Sequence, residues 1–273
     1  MNYINYSSFG FFVKKDVVLP SENSEELAEL VGIMFGDGHM NSYKSNTHLI
    51  EIAGNSITDY EYHTARIRAL FESLFNVIPA FRKGSGKHAI RSIVCSRKIV
   101  DFLESKELRK GRKNLLIVPS WIRQNDSFFK AFIRGLFDTD GSIILRSRGQ
   151  HSISLALKNK ELIDCVKSFF EIKGYFIAYH ICEQYDERGF YSKVFCIRIN
   201  QKNLIIRFKN EIGLSNPYKL ERLERICMGR TRFELVTTRF HSKRSFLDVH
   251  SVNTSAVCSP SLSYQPNLFC EKR

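Results

Sequence analysis

Two segments of the chain share an unusual arrangement of glycine and aspartate. One reads LVGIMFGDGHM from residue 30, and the other reads FIRGLFDTDGS from residue 132. In each, a glycine lies five residues before an Asp-Gly pair: Gly32 before Asp37, and Gly135 before Asp140. The surrounding apolar residues indicate helices, and a carboxylate at the negative C-terminal end of a helix is unfavourable. Two copies of this arrangement therefore predict a function for both aspartates.

The sequence after each Asp-Gly pair repeats the same order of structural patterns. A polar turn and an alternating apolar run indicate a β-hairpin, and apolar residues at three- and four-residue spacing then indicate a helix. A second hairpin pattern and a closing helix follow in both copies. Such an internal repeat predicts an α+β fold of two pseudo-symmetric αββαββα halves.

The repeat also predicts boundaries along the chain. We expect an N-terminal arm, a first half, a solvated basic linker, a second half and a poorly ordered tail. These are residues 1–23, 24–108, 109–126, 127–228 and 229–273, in that order. The tail prediction depends on the loss of any sustained apolar period after Met228.

Small residues recur on one face of each predicted glycine-bearing helix. Gly32 and Gly36 are four residues apart and share a face, as do Gly135 and Thr139. Small residues at this spacing let two helix backbones approach closely, for a steric reason that also holds outside membranes. We therefore predict that the two helices pack together as the interface between the halves. Their C-terminal ends would then bring the two aspartates together near a pseudo-twofold axis.

Two carboxylates at two helix ends repel each other unless a cation compensates their charge. Carboxylate oxygens and exposed helix-terminal carbonyls are the hard ligands that Mg²⁺ accepts. Paired acidic metal sites commonly serve phosphodiester cleavage. The arrangement thus predicts a Mg²⁺ site at Asp37 and Asp140, with Mn²⁺ as a plausible substitute. The alternative is a pair of unrelated helix stops.

The net charge of the 273-residue chain is +13, and its basic residues are spread along the whole length. This distribution favours a polyanionic partner, most simply nucleic acid, over a generically basic protein. Apolar residues make up 43% of the chain, which excludes a compositionally disordered protein.

The cysteines and the apolar runs predict where the protein acts. None of the seven cysteines forms a Cys-x-x-Cys pair, which disfavours a zinc site and a disulfide framework and favours a reducing compartment. We see no signal-peptide pattern and no run long enough to span a membrane. We expect a protein that is not secreted and not membrane-bound. Its location would be cytoplasmic in a prokaryote and organellar or nuclear otherwise.

The segments LVGIMFGDG and IRGLFDTDG resemble the two motif copies of the single-chain LAGLIDADG homing endonucleases. The resemblance covers about residues 24–226. It implies that a curved antiparallel sheet in each half forms a DNA-binding saddle. It also implies a monomer that uses divalent metal to cleave both strands of double-stranded DNA at a specific site.

The resemblance assigns roles to individual residues of both motifs. Asp37 and Asp140 would be the catalytic metal ligands, and the backbone carbonyls of Gly36 and Thr139 would share the metal. The family pattern has an earlier aspartate, which is Asp138 in the second copy but Phe35 in the first. Since the last aspartate is the metal ligand, this departure does not by itself threaten activity. Asp138 is expected to have a structural or hydrogen-bonding role.

The family also often places a basic residue near the end of the last strand of each half. The matching positions are Arg97 or Lys98 in the first half and Lys202 in the second. A cation there would stabilise the charged transition state. A solvated basic residue at a helix start is the alternative.

Outward polar side chains of the hairpins are the predicted DNA-reading residues, because a two-stranded β-ribbon fits the major groove. The candidates are Asn41, Lys44, Asn46, Arg82, Lys87, Arg91, Arg146, Arg148, Gln150, Gln184, Arg188 and Lys193.

Two functions from different classes fit the sequence. One is a Mg²⁺-dependent homing endonuclease, intron-encoded or free-standing. The other is a non-cleaving nucleic-acid binder on the same scaffold, either a transcription regulator or a maturase acting on intron RNA. Retention of both aspartates argues against a pure regulator, whereas a maturase would keep the same motifs.

Overall fold

The computed structural model describes residues 16–228 except residues 85, 112, 147–148, 186–188 and 190. All described residues belong to one compact unit. The predicted tail at residues 229–273 and most of the predicted N-terminal arm lie outside the described residues. Within the described part of the chain, no helix is both long enough and apolar enough to cross a membrane.

The first half contains one four-stranded antiparallel sheet, in the order β1-β2-β4-β3. A π-helical segment at Tyr62–Ile67 leads into its second helix. Its elements are α1 (Glu25–Gly36), β1 (Gly38–Ser42), β2 (His48–Asn55), α2 (Arg68–Phe75), β3 (Ala80–Lys83), β4 (Ala89–Cys95) and α3 (Arg97–Ser105).

The second half repeats this architecture, with the sheet order β5-β6-β8-β7. A 3-10 turn at Lys113–Leu115 and a short helix, α4 (Ser120–Arg123), precede it. Its elements are α5 (Asp126–Thr139), β5 (Gly141–Ile144), β6 (Ser152–Leu157), α6 (Lys160–Ile172), β7 (Ala178–Tyr185), β8 (Tyr191–Ile199), α7 (Lys202–Glu211) and a further helix, α8 (Pro217–Met228). The predicted α+β fold of two αββαββα halves is confirmed.

The central helices begin at the polar caps that their sequences supply. The Ser24 hydroxyl accepts a hydrogen bond from the Leu27 N–H at the start of α1, and the Asn125 side chain accepts one from the Phe128 N–H at the start of α5. Such caps satisfy N–H groups that have no partner within the helix. From Leu27 to Gly36, α1 is buried on all sides, because it packs on both its own sheet and α5.

Close packing of α1 against α5 depends on the small residues of both helices. A Cβ at Gly32 would overlap the backbone carbonyl of Phe132, and one at Gly135 would overlap the carbonyl of Glu29. Nearer the C-terminal ends, a Cβ at Gly36 would overlap the Thr139 side chain. These helices therefore form the predicted interface between the halves.

Two local expectations differ from the structure. The helix expected from residue 60 starts with π-helical turns at Tyr62–Ile67, which place His63 and Arg66 against partners in other elements. The segment 109–126 is solvated only in part, because Arg109 and Lys113 in its basic start are exposed. Its apolar side chains at Leu116, Val118 and Ile122, in contrast, are buried in the core.

Candidate active site at the ends of the central helices

Asp37 and Asp140 are the capping residues that follow α1 and α5, and both are half-buried. The Asp140 N–H donates to the Leu136 carbonyl at 2.9 Å, so the helix ends at this residue. A Cβ built at Gly36 would lie 3.3 Å from Asp140 Oδ2, which places that carboxylate against the end of the opposite helix. The structure thus brings Asp37, Asp140, Gly36 and Thr139 to one edge of the helix pair.

The environment of the two carboxylates disfavours their charged forms. Burial raises the pKa of Asp37 from its ordinary value, and the nearby charge of Asp59 adds to the effect. Burial and the charge of Asp37 together raise the pKa of Asp140 to about 6. Lys113 and Lys219 act in the opposite direction at both carboxylates. The pair is therefore electrostatically unsatisfied in a way that a bound cation would relieve.

Lys113 and Lys219 approach the two helix ends directly, and sequence reasoning missed both. The Lys113 ammonium donates to the Gly36 carbonyl at the end of α1. The Lys219 ammonium donates to the carbonyls of Phe137 at 3.0 Å and Thr139 at 2.5 Å, at the end of α5. Cations are favourable at helix C-termini because they compensate the partial negative charge of the free carbonyls.

The repeat contains a signal that could have identified these lysines. Lys113 follows the start of α3 by nearly the same number of residues as Lys219 follows the start of α7. The two segments differ in secondary structure, since Lys113 lies in a 3-10 turn and Lys219 in α8. Their equivalence is visible in the spacing and not in the local pattern.

The structure does not place the predicted basic helpers at the aspartates. Arg97 and Lys98 are exposed at the start of α3, where Arg97 lies 3.5 Å from Asp101. Lys202 is likewise exposed, at the start of α7. The strand register gives the reason: Gly38, next to Asp37, pairs with Ile52, whereas the end of β4 pairs three residues away, at Leu49. That offset corresponds to about 10 Å along the strand.

The donor atoms at the helix ends fit a Mg²⁺-type ion. Within the described part of the chain, no three His, Cys, Asp or Glu side chains gather as a metal-binding group. A site of two carboxylates and backbone carbonyls must therefore be completed by water or by substrate phosphate. Magnesium commonly binds in this way, with one or two carboxylates from the protein. The carbonyls of Gly36 and Thr139, predicted to share the metal, currently accept from the two lysines.

A cavity of about 570 Å³ opens beside Asp140. Its lining includes Phe35, Lys113, Lys158 and Asn159, so it combines one apolar wall with two ammonium groups. Phe35 stands where the second half has Asp138, and its ring packs edge-on against Phe132 at a centroid distance of 5.2 Å. The two halves therefore differ next to the aspartates, although their folds match.

Asp138 has the hydrogen-bonding role that the sequence suggested. Its carboxylate accepts hydrogen bonds from the Ser215 N–H at 2.9 Å and the Asn216 N–H at 2.9 Å. Burial raises the pKa of Asp138 to about 7, against the opposing effect of these N–H donors. The neighbouring Glu29 is buried and binds Arg66 in a bidentate ion pair, at 2.6 and 2.7 Å. This buried polar network supports the loop that leads into α8.

The first sheet presents three predicted DNA-reading residues on one face. Arg82 pairs with Arg91 in the register, and Arg91 alternates with the buried residues Ile90 and Ser92, so both arginines lie on the face away from the core. Asn41 lies on the same face. The Arg91 guanidinium is 3.5 Å from Glu51.

Four further candidates are exposed in the connections between strands. Two of them lie in the β1–β2 connection, one in the β3–β4 connection and one next to the start of the β5–β6 connection. They are Lys44, Asn46, Lys87 and Arg146. Gln150 is exposed in the same β5–β6 connection.

Of the remaining candidates in the second half, one lies on the face opposite to the prediction and three have no described side chain. Lys193 is exposed, but it alternates in step with Phe195 and Ile197 and so lies on the face of the sheet that carries the core, where it pairs with Glu183 at 3.0 Å. Its prediction as an outward-facing residue was wrong. Arg148 and Arg188 lie outside the described residues, and Gln184 lies in β7 without a described side chain.

Arg198 and His180 lie on the outward face of the second sheet and were missed. Arg198 alternates with the buried Ile197 and Ile199, and His180 pairs with Cys196 on the same face. The alternation in FCIRI already distinguishes Arg198 from its apolar neighbours, so this residue was predictable from the sequence.

Comparisons with known proteins cover most of the described chain, and the family match lies in its second half. Residues 127–213 match the family model described as LAGLIDADG-like domain. A crystal structure of I-DmoI in complex with DNA and Ca superposes with a TM-score of 0.50 at 22% identity, over 73% of this chain and 97% of that one. I-DmoI is named as a homing endonuclease. At this level of identity, the likeness establishes the fold.

Relatives in Methanocaldococcus jannaschii match at the sequence level. The protein named Replication factor C small subunit is 27% identical over 204 residues, which are 74% of this chain and 10% of that protein. Uncharacterized protein MJ0314 is 26% identical over 191 residues, which are 66% of each chain. This chain therefore spans only a small part of the first relative and about two thirds of the second.

Proposed function

Since the second half matches the LAGLIDADG-like domain family and the described chain has the fold of the LAGLIDADG homing endonucleases, we propose that it is a site-specific double-strand DNA endonuclease. The observation that carries the proposal is the convergence of Asp37, Asp140, Lys113 and Lys219 at the ends of α1 and α5. Two carboxylates and two ammonium groups meet there, and each of the two sheets presents an outward polar face.

The proposed reaction is hydrolysis of one phosphodiester bond in each strand. Water adds to phosphorus, the bond from phosphorus to the leaving oxygen breaks, and that oxygen takes up a proton. A bound divalent ion, with Mg²⁺ proposed and Mn²⁺ as a substitute, would polarise the phosphate and lower the pKa of a coordinated water. The residues that would hold it are Asp37 and Asp140, with the carbonyls of Gly36 and Thr139.

The lysines supply the positive charge that the reaction needs from the protein itself. Charge accumulates on the phosphate oxygens in the transition state, and a fixed cation stabilises it most where water is excluded. Lys219 is half-buried and Lys113 is exposed. Burial lowers the pKa of Lys219, while the surrounding aspartates raise it. We propose Lys113 and Lys219 as the basic helpers, in place of Arg97, Lys98 and Lys202.

The two sheets would hold the DNA by their outward faces. Arg82, Arg91 and Arg198 lie on those faces, and exposed lysines lie in the connections. Basic side chains bind phosphates without reading sequence, whereas polar contacts to base edges supply specificity. Because both halves are present in one chain, a monomer would present two sheets to one DNA site. Intron homing is part of this proposal.

A non-cleaving binder, such as a maturase for intron RNA, is the second candidate. Its support is the contact of each lysine with a helix-end carbonyl. These ammonium groups lower the pKa of both carboxylates without any metal, which makes the aspartates more tolerable in a protein that never cleaves. The two candidates differ in catalysis, and the maturase also differs from the endonuclease in the nucleic acid that it binds.

The test is a cleavage assay on a duplex selected for binding. A randomised duplex library is first enriched with the protein in Ca²⁺, and the selected duplex is then incubated with Mg²⁺ or Mn²⁺. We expect wild type to cut both strands and Asp37→Asn and Asp140→Asn to bind without double-strand cleavage. Asp164→Asn, which removes an exposed carboxylate on α6, should cut normally. Tight binding by wild type without cleavage in either metal would establish the binder instead.

A further inference from the structure

Each of the two active-site lysines belongs to a segment that is tied to the opposite half of the molecule. The first lysine segment (residues 113–116) follows the first half, and its Lys113 contacts the end of α1. The second lysine segment (residues 215–219) follows the second half, and its Lys219 contacts the end of α5. In both cases an asparagine amide makes the connection across the halves.

Asn159 anchors the first lysine segment to the second half. Its side-chain Nδ2 donates to the Lys113 carbonyl at 3.2 Å and to the Leu116 carbonyl at 2.7 Å. Its Oδ1 accepts from the Leu162 N–H at 3.0 Å and so caps α6. Asn159 is buried. If its amide were removed, water could not easily replace it as the donor to these two carbonyls.

Asn216 anchors the second lysine segment to the first half. Its side chain is fully buried, and its Nδ2 donates to Asp59 Oδ1 at 3.0 Å and to the Asp138 carbonyl at 3.3 Å. Its Oδ1 accepts from the N–H groups of Tyr218 and Lys219, which begin α8. One side chain thus fixes both the start of α8 and its distance from the first half.

The residues that contact each lysine segment from the opposite half, Asp59 and Asn159, occupy related places in the repeat. Asp59 lies directly before the helical turns that begin at residue 60 in the first half, and Asn159 lies directly before α6 in the second. The residue at the start of the middle helix of each half therefore holds the lysine segment of the other half. Two independent long-range contacts with this symmetry point to a shared purpose.

We propose that Asn159 and Asn216 are positioning residues that set Lys113 and Lys219 at their helix ends, so that cleavage at each site depends on a contact with the opposite half. The inference rests on the proposed endonuclease function. A lysine side chain has four rotatable methylene groups and fixes no position by itself. The geometry at the phosphate is therefore determined by the backbone of each lysine segment, which the asparagine amides hold.

Substitution by serine separates this role from helix capping. Serine is a good N-cap residue, so Asn159→Ser and Asn216→Ser keep an acceptor for α6 and α8 but lose the amide donor that spans the halves. Asn125→Ser is the matched control, because Asn125 caps α5 through its Oδ1 at an exposed site. All three variants are compared with wild type by thermal unfolding.

The first readout is strand-specific nicking of the selected duplex in Mg²⁺. A displacement of about 1 Å at a reacting group can lower a rate by about 100-fold. We expect each variant to slow cleavage of one strand by about 10- to 100-fold in kcat, with KM and the DNA Kd in Ca²⁺ within about twofold of wild type. Nicked DNA should accumulate, and Asn159→Ser and Asn216→Ser should nick opposite strands. Asn125→Ser should cut both strands at the wild-type ratio.

The second readout needs no cleavage and uses acylation of lysine amines, followed by mass spectrometry. Lys219 should be labelled slowly in wild type and at least about fivefold faster in Asn216→Ser, because release of α8 exposes its amine. If wild type never cuts DNA but Lys219 labelling rises in this way, the endonuclease function fails and the positioning role stands. Unchanged labelling in the variant, or equal slowing of both strands with only a lower unfolding temperature, would overturn the positioning role.

Discussion

The Cα of Gly32 on α1 faces the backbone carbonyl of Phe132 on α5 so closely that no side-chain atom fits between them. The reciprocal relationship holds between Gly135 and the carbonyl of Glu29. Backbone therefore packs against backbone at the centre of the molecule. This contact sets the separation of the two helix ends that carry Asp37 and Asp140.

Gly32→Ala and Gly135→Ala should each destabilise the protein by about 1–3 kcal/mol or more, because an added methyl group must push rigid backbone aside. Urea unfolding would measure the loss. Gly86→Ala serves as a control, since the nearest atom to a Cβ there is the Ala89 side chain at 3.6 Å. A wild-type unfolding midpoint in both helix variants would contradict the backbone-to-backbone packing.

Glu29→Gln should lower the free energy of unfolding by about 3–5 kcal/mol, because the neutral amide no longer compensates the charges of two arginines. Glu29 is 1% exposed, binds Arg66 in a bidentate pair and lies 3.2 Å from Arg134. Chemical denaturation at neutral pH would measure the loss. The exposed pair of Glu72 with Arg68 is the comparison, and Glu72→Gln should change stability by less than about 0.5 kcal/mol.

His63 should make the fold less stable as the pH falls below about 6.5. The ring is buried and lies 2.7 Å from the Ser92 hydroxyl, and burial lowers its pKa from 6.5 to about 4. Because the folded-state pKa is the lower one, the unfolded chain binds the proton first. Stability from the neutral ring is complete above pH 6.5 and is lost as the pH falls toward 4, by about 3 kcal/mol in total.

The His63 prediction is measured as a difference between proteins. Unfolding free energies of wild type and His63→Gln are compared at pH 7 and pH 4, so that carboxylates titrating in both proteins cancel. The advantage of wild type should shrink by about 3 kcal/mol between these pH values. His151→Gln, at a partly exposed position, is the control for the loss of an imidazole. An advantage independent of pH would mean that folding does not lower the pKa of His63.

Lys113→Met should strengthen binding of divalent metal to the DNA-free protein. The Lys113 ammonium and a metal ion both require the Gly36 carbonyl and the charge of the aspartates. Removing one competing charge should lower the Mn²⁺ dissociation constant about tenfold, equivalent to about 1.4 kcal/mol. Calorimetric titration with Mn²⁺ would measure it.

Lys158→Met is the control for the metal titration. Lys158 lines the same cavity as Asp140 but is not among the charged groups that shift the pKa of that residue. Its loss should leave the Mn²⁺ dissociation constant within about twofold of wild type. Weaker binding in Lys113→Met would show that the lysine supports the metal site and does not compete for it.

Several outcomes followed from local sequence patterns. The order of elements could be predicted because apolar residues recur with the period of a helix or a strand within each segment. The packing of α1 on α5 could be predicted because Gly32 and Gly135 each leave space on a definite helix face. The outward position of Arg82 and Arg91 also followed from alternation, whereas Lys193 alternates in step with Phe195 and Ile197 and lies on the other face.

The roles of the two lysines and their asparagine anchors could not be predicted from local patterns, because their partners are distant in the sequence. Lys113 and Gly36 are 77 residues apart, and Lys219 and Thr139 are 80 apart. The periodicity of apolar residues within a segment does not predict such a contact.

The sequence by itself determined the duplication, the two helices with small residues on one face and the aspartates at their ends, since each depends only on neighbouring residues. The tertiary structure alone decided which cations meet those aspartates. A long flexible side chain can reach many places, and only the fold of the backbone that carries it selects one.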